Sequence, residues 1–266
     1  MSGSSDEKRL NARVRKQIKP ASELDSHFTA LLYGRSGSTK TRTASTAPKP
    51  LLIDIDEKGT DSVRNDHNPH VYRVTFWDQV NEVFWYLQSG DHDYETAIVD
   101  GLTGLQDLCL AFVLGDEASR DASRDPDMPS RQVYGKVGKL MKTQITNYRN
   151  LPMNIIFTAL DRKRFTGEDD DDSDEELSIG PALTPSVAGA AERSVALIGY
   201  LHKRAVVKRR KEGKKIKTTR VVRTRLIIDD PTEKYMTKDR YHLGGPYIDS
   251  PDITNIIQQI YGEGGQ

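Results

Sequence analysis

What this chain has little of narrows its class before any motif is read. Its single cysteine, Cys109, lies in an apolar run, which excludes a disulfide framework and implies a buried packing role. No apolar stretch approaches the roughly 18 residues of a membrane span. The opening residues are polar, without the apolar core of a secretory leader, so a soluble protein of the cytoplasm is expected. Net charge is missing too: 39 Lys and Arg balance 39 Asp and Glu, and the total names no partner. The 266 residues suffice for one large domain with a full core, or two small ones.

The most informative stretch runs from His27 to Ala47, HFTALLYGRSGSTKTRTASTA. Phe28 to Leu32 is a short apolar run, a Gly/Ser-rich turn follows, and Lys40-Thr41 opens a helix. Strand, glycine turn and helix start are the parts of a phosphate-binding P-loop, here Gly34, Arg35, Ser36, Gly37, Ser38, Thr39, Lys40 and Thr41. Backbone N–H groups of such a turn converge on phosphates, and the helix start adds partial positive charge. Lys40 would reach the β/γ-phosphates of ATP, and the Thr41 hydroxyl would hold Mg²⁺. The pattern G-x-x-x-x-G-K-[ST] is met except at Thr39, where a β-branched residue replaces glycine and resists positive φ. A plain Gly/Ser turn before a basic helix is the competing reading.

Downstream, Leu51 to Ile55 reads as a buried strand ending in Asp54-Ile55-Asp56-Glu57. In an open α/β sheet, ligands gather at the carboxyl ends of strands, so Asp56 or Glu57 could polarise an attacking water. Val71 to Phe76 reads as another strand. Asp78 is expected to cap a helix to about Gln88, with Val80, Val83, Phe84 and Leu87 at helical spacing. Trp85-Tyr86 is assigned to the core in preference to a base-stacking platform. Thr96 to Asp100, TAIVD, has the Walker B form, in which a buried strand delivers one carboxylate to the magnesium shell. A helix from Thr103 to Leu114, an exposed loop over 115–131, a helix from Tyr134 to Tyr148 and a buried strand from Met153 to Leu160 follow. A small helix over Gly189 to Ala196 leads to a strand through Tyr200, and the last helix spans Ile253 to Ile260. Strands alternating with helices imply α/β architecture with a mostly parallel sheet covered on both faces.

Charge is distributed in blocks. Residues 1–20 read as a flexible basic tail, with a short helix as the alternative. The 115–131 loop carries Arg120, Arg124 and Arg131. The 161–185 loop sets Arg162, Lys163 and Arg164 before the acidic run GEDDDDSDEE, which reads as a solvated insertion, an acidic gate over the basic loop, or a metal site that nothing in the spacing favours. From Lys203 to Arg225 there are twelve Lys and Arg against one acid, Glu212, which sits with Gly213 in a hairpin turn. A basic hairpin with Lys208, Arg209, Arg210, Lys211, Lys214 and Lys215 fits a phosphate backbone and, lacking aromatics, would grip it without reading bases.

Taken in order, these parts resemble the RecA core, and in particular the compact phage RecA-like ATPases of the RadA-related single-strand annealing group, also called phage nucleotide-binding proteins. YGRSGSTKT, LLIDIDE, TAIVDGLTGL, IIFTALDRKRF with GPALTPSVAGAAERSVALIGYLHKR, and KDRY carry the likeness over about residues 26–262. The resemblance implies a RecA-like P-loop NTPase core over 21–262, with the 203–225 hairpin within it and a Gly-rich end at 263–266. It places the catalytic base on Asp56, with Glu57 adjacent, and Asp100 near Mg²⁺. Lys238 and Arg240 would act on a neighbouring subunit's ATP in a homo-oligomer. Leu160 departs from the family, which has a polar phosphate sensor there; Thr158 or Asp161 could substitute. The implied function is an ATPase that binds single-stranded DNA and supports phage recombination or annealing in the bacterial host cell, with a phage single-stranded-DNA-binding protein as a further candidate partner. A nucleotide-dependent DNA-binding module with little hydrolysis is the alternative, and a small-molecule P-loop kinase a third.

Overall fold

Short buried runs separated by amphipathic segments assemble into one nine-stranded sheet with helices on both faces. The computed structural model describes residues 3–20, 26–55, 59–120, 129–164, 178–212 and 215–262, without the side chains of 3–8, 164, 208–212 and 215–219. The helices are α1 (Gly3–Gln17), α2 (Lys40–Ala44), α3 (Trp77–Ser89), α4 (Leu102–Arg120), α5 (Arg131–Arg149), α6 (Pro185–Ser194) and α7 (Ile253–Tyr261). The strands are β1 (Thr29–Tyr33), β2 (Pro50–Asp54), β3 (His70–Arg73), β4 (Thr96–Asp100), β5 (Asn154–Ala159), β6 (Asp161–Arg164), β7 (Ser178–Pro181), β8 (Leu197–Glu212), β9 (Lys215–Ile227), β10 (Lys238–Asp239) and β11 (Tyr247–Asp249).

The sheet order is β11-β9-β8-β1-β5-β4-β2-β3, with β10 also on β8. Neighbours from β8 to β3 are parallel, whereas β9, β10 and β11 pair antiparallel. A mostly parallel α/β sheet flanked by helices, carrying a basic hairpin, is the architecture that the sequence implied. Parallel strands covered on both sides are buried at every position and mostly apolar, as β4 and β5 are. Alternate residues serve opposite cores. Leu31, Tyr33, Ile53, Val99 and Phe157 pack under α3 to α6, while Ala30, Leu32, Leu52, Ile98 and Ile156 pack under α2 and α7. Cys109 is buried and free, and burial pushes its thiol up to about 12. Among the described residues no helix is long and apolar enough to cross a membrane.

Several expectations need correction. Trp85 and Tyr86 are 66% and 46% exposed, not core. They follow Phe84 around the helix, and one turn cannot bury Val83, Phe84, Leu87 and both of these rings against a single sheet face. Asp78 does not cap α3; Phe76 holds the N-cap position, where its N–H and that of Thr75 donate to the Gln79 side chain. Residues 115–120 are helix, because Glu117 turns inward and accepts a 2.6 Å hydrogen bond from Lys136 of α5. The helix expected over Gly189 to Ala196 lies earlier, as α6, opened by Pro185 in the first turn. Residues 3–17, for which a tail and a helix were both open, are helical, with Leu10 and Val14 exposed.

Leu31 is fully buried at the centre of the sheet. Leu31→Ala should cost about 2–5 kcal/mol, read as a lowered urea midpoint at unchanged m-value.

Candidate nucleotide site

β1 delivers the chain to the sheet's carboxyl edge, and Gly34 turns it there. A Cβ on Gly34 would lie 2.3 Å from the Leu201 carbonyl oxygen of β8, so only glycine lets the loop pass this close. The loop closes with Ser38 N–H donating to the Arg35 carbonyl at 3.1 Å, then feeds α2. Thr39, which stands where the P-loop pattern has its second glycine, adopts φ 75 and ψ 23. This is left-handed backbone, costing a β-branched residue roughly 1–3 kcal/mol. The loop therefore keeps the glycine conformation despite the side chain, whose hydroxyl lies 3.0 Å from Thr224 Oγ1 on β9.

The chemistry-bearing groups of the loop converge. Lys40 Nζ donates to the carbonyl oxygens of Gly34 at 2.9 Å and Arg35 at 3.0 Å, which lays the ammonium across the loop. Thr41 Oγ1 donates to Asp100 Oδ2 at 2.7 Å, and the buried Thr158 hydroxyl donates to Asp100 Oδ1. Ser38 Oγ is buried with no hydrogen-bond partner among the described residues. Such an orphan is costly unless a ligand oxygen reaches it, and a phosphate seated in the loop would supply one. The residues thus fit a magnesium nucleotide. Thr41 and Asp100 would hold Mg²⁺ as a hydroxyl and one carboxylate, the sparse donor set that this ion takes beside nucleotide phosphates. Among the described residues no group of three or more His, Cys, Asp or Glu could hold a metal alone, so the ion would need the phosphates.

Asp54 is a site residue to which the sequence reading gave no role. It is fully buried and ends β2 level with Asp100 of β4. Thr60 donates to its Oδ2 at 2.8 Å, and Arg73 Nε lies 3.9 Å from the same atom. The signal was present, since LLID and TAIVD both run apolar residues into a terminal aspartate. Asp56 and Glu57 lie outside the described residues. The flanking residues bracket the site: Ile55 N–H donates to the Asp100 carbonyl at 2.8 Å, and a Cβ on Gly59 would lie 2.9 Å from Asp100 Oδ2.

Leu160 contributes no polar group beyond its backbone, and its N–H donates to Thr103 Oγ1 at 3.1 Å. Of the two substitutes considered, Thr158 meets Asp100 directly. Asp161 lies 4.0 Å from Arg35 Nε and accepts from the Tyr200 hydroxyl at 3.3 Å. Burial, with Asp161 beside it, pushes that phenol up to about 12, so it stays a donor at neutral pH.

The basic segments divide. Arg162 and Lys163 are exposed on β6, which leaves β5 at the mouth beside the phosphate loop. Tyr200 of β8 is level with Tyr33, the last residue of β1, so β8 continues twelve residues past it, roughly 40 Å if straight. The backbone of Lys208, Arg209, Arg210 and Lys211 on β8 and Lys215 on β9 thus projects from the loop's own edge. Arg164 is placed by its backbone alone, and Arg124, Lys214 and the acidic run fall outside the described residues. Arg120 pairs with Asp116 in the last turn of α4, and Arg131 opens α5.

Lys238 and Arg240 sit towards the opposite edge. Lys238 pairs with Ile198, and Arg240 N–H donates to the Ala196 carbonyl, level with the start of β1. Lys238 Nζ donates to the carbonyls of Glu192 and Val195 and closes the end of α6. Burial, then the neighbouring Arg240, lowers its pKa. Neither residue lies at its own chain's phosphate loop.

Lys40→Ala should abolish the heat of binding magnesium ATP in calorimetry on folded protein. Asp100→Asn, which keeps shape but loses charge, should leave a weaker nucleotide affinity that no longer depends on magnesium.

Comparison with known proteins agrees with this geometry. Residues 26–241 match the AAA domain family. No curated protein matches the chain significantly. A KaiC-like protein from the hyperthermophilic archaeon Pyrococcus horikoshii is 8% identical, with 77% of this chain and 86% of that chain covered at a TM-score of 0.38. So slight a structural likeness carries no argument. The family match spans most of the chain and contains every residue of the cradle, so the protein belongs to the AAA domain family and is a P-loop NTPase.

Proposed function

We propose that this chain hydrolyses ATP, binds single-stranded DNA as a homo-oligomer, and serves phage DNA recombination or annealing in a bacterial host. The observation that carries the nucleotide half is the Thr41–Asp100 hydrogen bond, which joins the loop's hydroxyl to the strand-end carboxylate at the place where Mg²⁺ belongs. Lys40, released from the carbonyls of Gly34 and Arg35, would move onto the β/γ-phosphates. Bound Mg²⁺ would neutralise charge developing on the phosphate oxygens. Asp56 or Glu57, in the segment bracketed by Ile55 and Gly59, would take the proton of the attacking water. The new bond forms to the γ-phosphorus, the bond to the β–γ bridging oxygen breaks, and ADP and phosphate leave.

The DNA half rests on the hairpin and β6, which present basic residues from the edge that holds the cradle. Arg120, Arg124 and Arg131 are weaker members of this set. Lys238 and Arg240, distant from their own cradle, would serve a neighbour's ATP, with Lys238 first leaving the end of α6.

Two observations favour a second reading, a DNA-binding module that grips nucleotide and turns it over little. Thr39 holds strained left-handed backbone within the loop, and no polar side chain stands at Leu160.

Release of phosphate with and without oligothymidylate, together with the mass of the assembly, tests both. Hydrolysis stimulated by DNA in an oligomer is expected. Tight magnesium-ATP binding without phosphate release would establish the binding module instead. Neutralising Lys208, Arg209, Arg210 and Lys211 should weaken DNA binding and reduce the slope of log K against log salt by up to about 3, at roughly 0.7 per phosphate contact. An unchanged slope would remove the hairpin from the DNA site.

A further inference from the structure

The phosphate cradle and the basic hairpin share two points of contact. On β8, Leu201 presents its carbonyl oxygen against Gly34 so closely that a Cβ there would lie 2.3 Å away. On β9, the Thr224 hydroxyl lies 3.0 Å from that of Thr39. The second contact exists only because this chain has threonine where the P-loop pattern has glycine, and glycine has no hydroxyl to offer. The β9 side of the joint is itself braced. The Thr224 carbonyl accepts from Ser250 N–H at 2.7 Å. The next residue, Arg225, holds Asp249 by hydrogen bonds of 2.7 and 3.0 Å and lies over the Tyr247 ring. Motion of Thr39 therefore meets a stiff strand, and beyond Thr224 that strand runs out to Lys215.

We infer that the Thr39 hydroxyl is a positioning group that ties the state of the phosphate loop to the hairpin, so that nucleotide and nucleic acid alter each other's affinity through the Thr39–Thr224 hydrogen bond. This rests on the DNA-binding ATPase reading and adds its regulation. Thr39 is the residue just before Lys40, whose ammonium lies on the loop's own carbonyls and must leave them for phosphate. Rearrangement of the loop around phosphate shifts Thr39, and the hydrogen bond passes that shift to β9. Coupling of this kind is reciprocal in binding free energy. A conformation that glycine would adopt without strain is kept here by a residue that adds a hydroxyl facing the hairpin.

The test uses the full chain, a non-hydrolysable magnesium-ATP analogue and oligothymidylate. In the wild type the analogue should change oligothymidylate affinity roughly tenfold, and oligothymidylate should change analogue affinity by the same factor. Thr224→Val, which keeps the shape and loses the hydroxyl, should bind each ligand alone as the wild type does, with the mutual effect reduced to less than about twofold. Thr224→Ser should restore it. Thr39→Gly, a change within the phosphate loop itself, should remove the mutual effect whatever its own affinity for the analogue. Hydrogen exchange gives a readout that needs no DNA: the analogue should alter protection over 220–227 in the wild type and in Thr224→Ser, but not in Thr224→Val. Full coupling in Thr224→Val, or a wild type that binds both ligands with no mutual effect, overturns the inference and leaves the ATPase reading standing. A wild type that binds no analogue overturns both.

Discussion

Asp100 accepts two hydrogen bonds, and much of the structure serves to bring their donors together. Thr41 reaches it from the start of α2, and Thr158 from β5. β5 lies between β1 and β4, so the phosphate loop and the strand-end carboxylate are separated by one strand and meet only above it. That meeting requires the three strands to end at one level, which their registers provide: Leu32 is beside Thr158, and Val99 beside Phe157. A carboxylate this buried is stable only while satisfied by donors, and the same groups are those that a magnesium ion would engage. Structural satisfaction of Asp100 and readiness for a nucleotide are thus one arrangement.

The rest of the mouth is built outward from that pair. β2 sets Asp54 beside Asp100, and the chain returns at Gly59 so close that a Cβ there would lie 2.9 Å from Asp100 Oδ2 and 3.5 Å from Asp54 Oδ1. On the other side β8 runs parallel to β1, then continues past it as one arm of the hairpin. β8 is thus at once a core strand and a hairpin arm, which joins the base of the basic hairpin directly to the sheet that carries the loop. Lys238 and Arg240 lie nearer the opposite edge, away from their own chain's phosphate loop.

Much of this was readable from residue order. The loop, the aspartates ending apolar strands and the basic hairpin are local signals, because turn chemistry, strand burial and charge density are set within a few residues. What was misread depended on partners distant in sequence. Trp85 and Tyr86 look like core residues by composition, but the stripe through Val80, Val83, Phe84 and Leu87 already fills the contact with the sheet. Residues 115–120 look like loop because they are polar, yet Glu117 is drawn inward by Lys136, nineteen residues on. Asp54 was given no role of its own, because strand register, invisible in one sequence, decides that it stands beside Asp100.

The sequence alone determined that a phosphate loop opens the domain, that buried strands end in carboxylates, and that one hairpin concentrates positive charge, since each is a matter of short-range pattern. Only the tertiary structure decided that Thr41, Thr158 and Asp100 share a hydrogen-bonded centre, that Lys238 is spent on the end of α6, and that Thr39 touches Thr224. Those contacts join residues separated by between 43 and 185 positions. Nothing in local propensity specifies them; they follow from strand order and register, which are settled when the sheet closes.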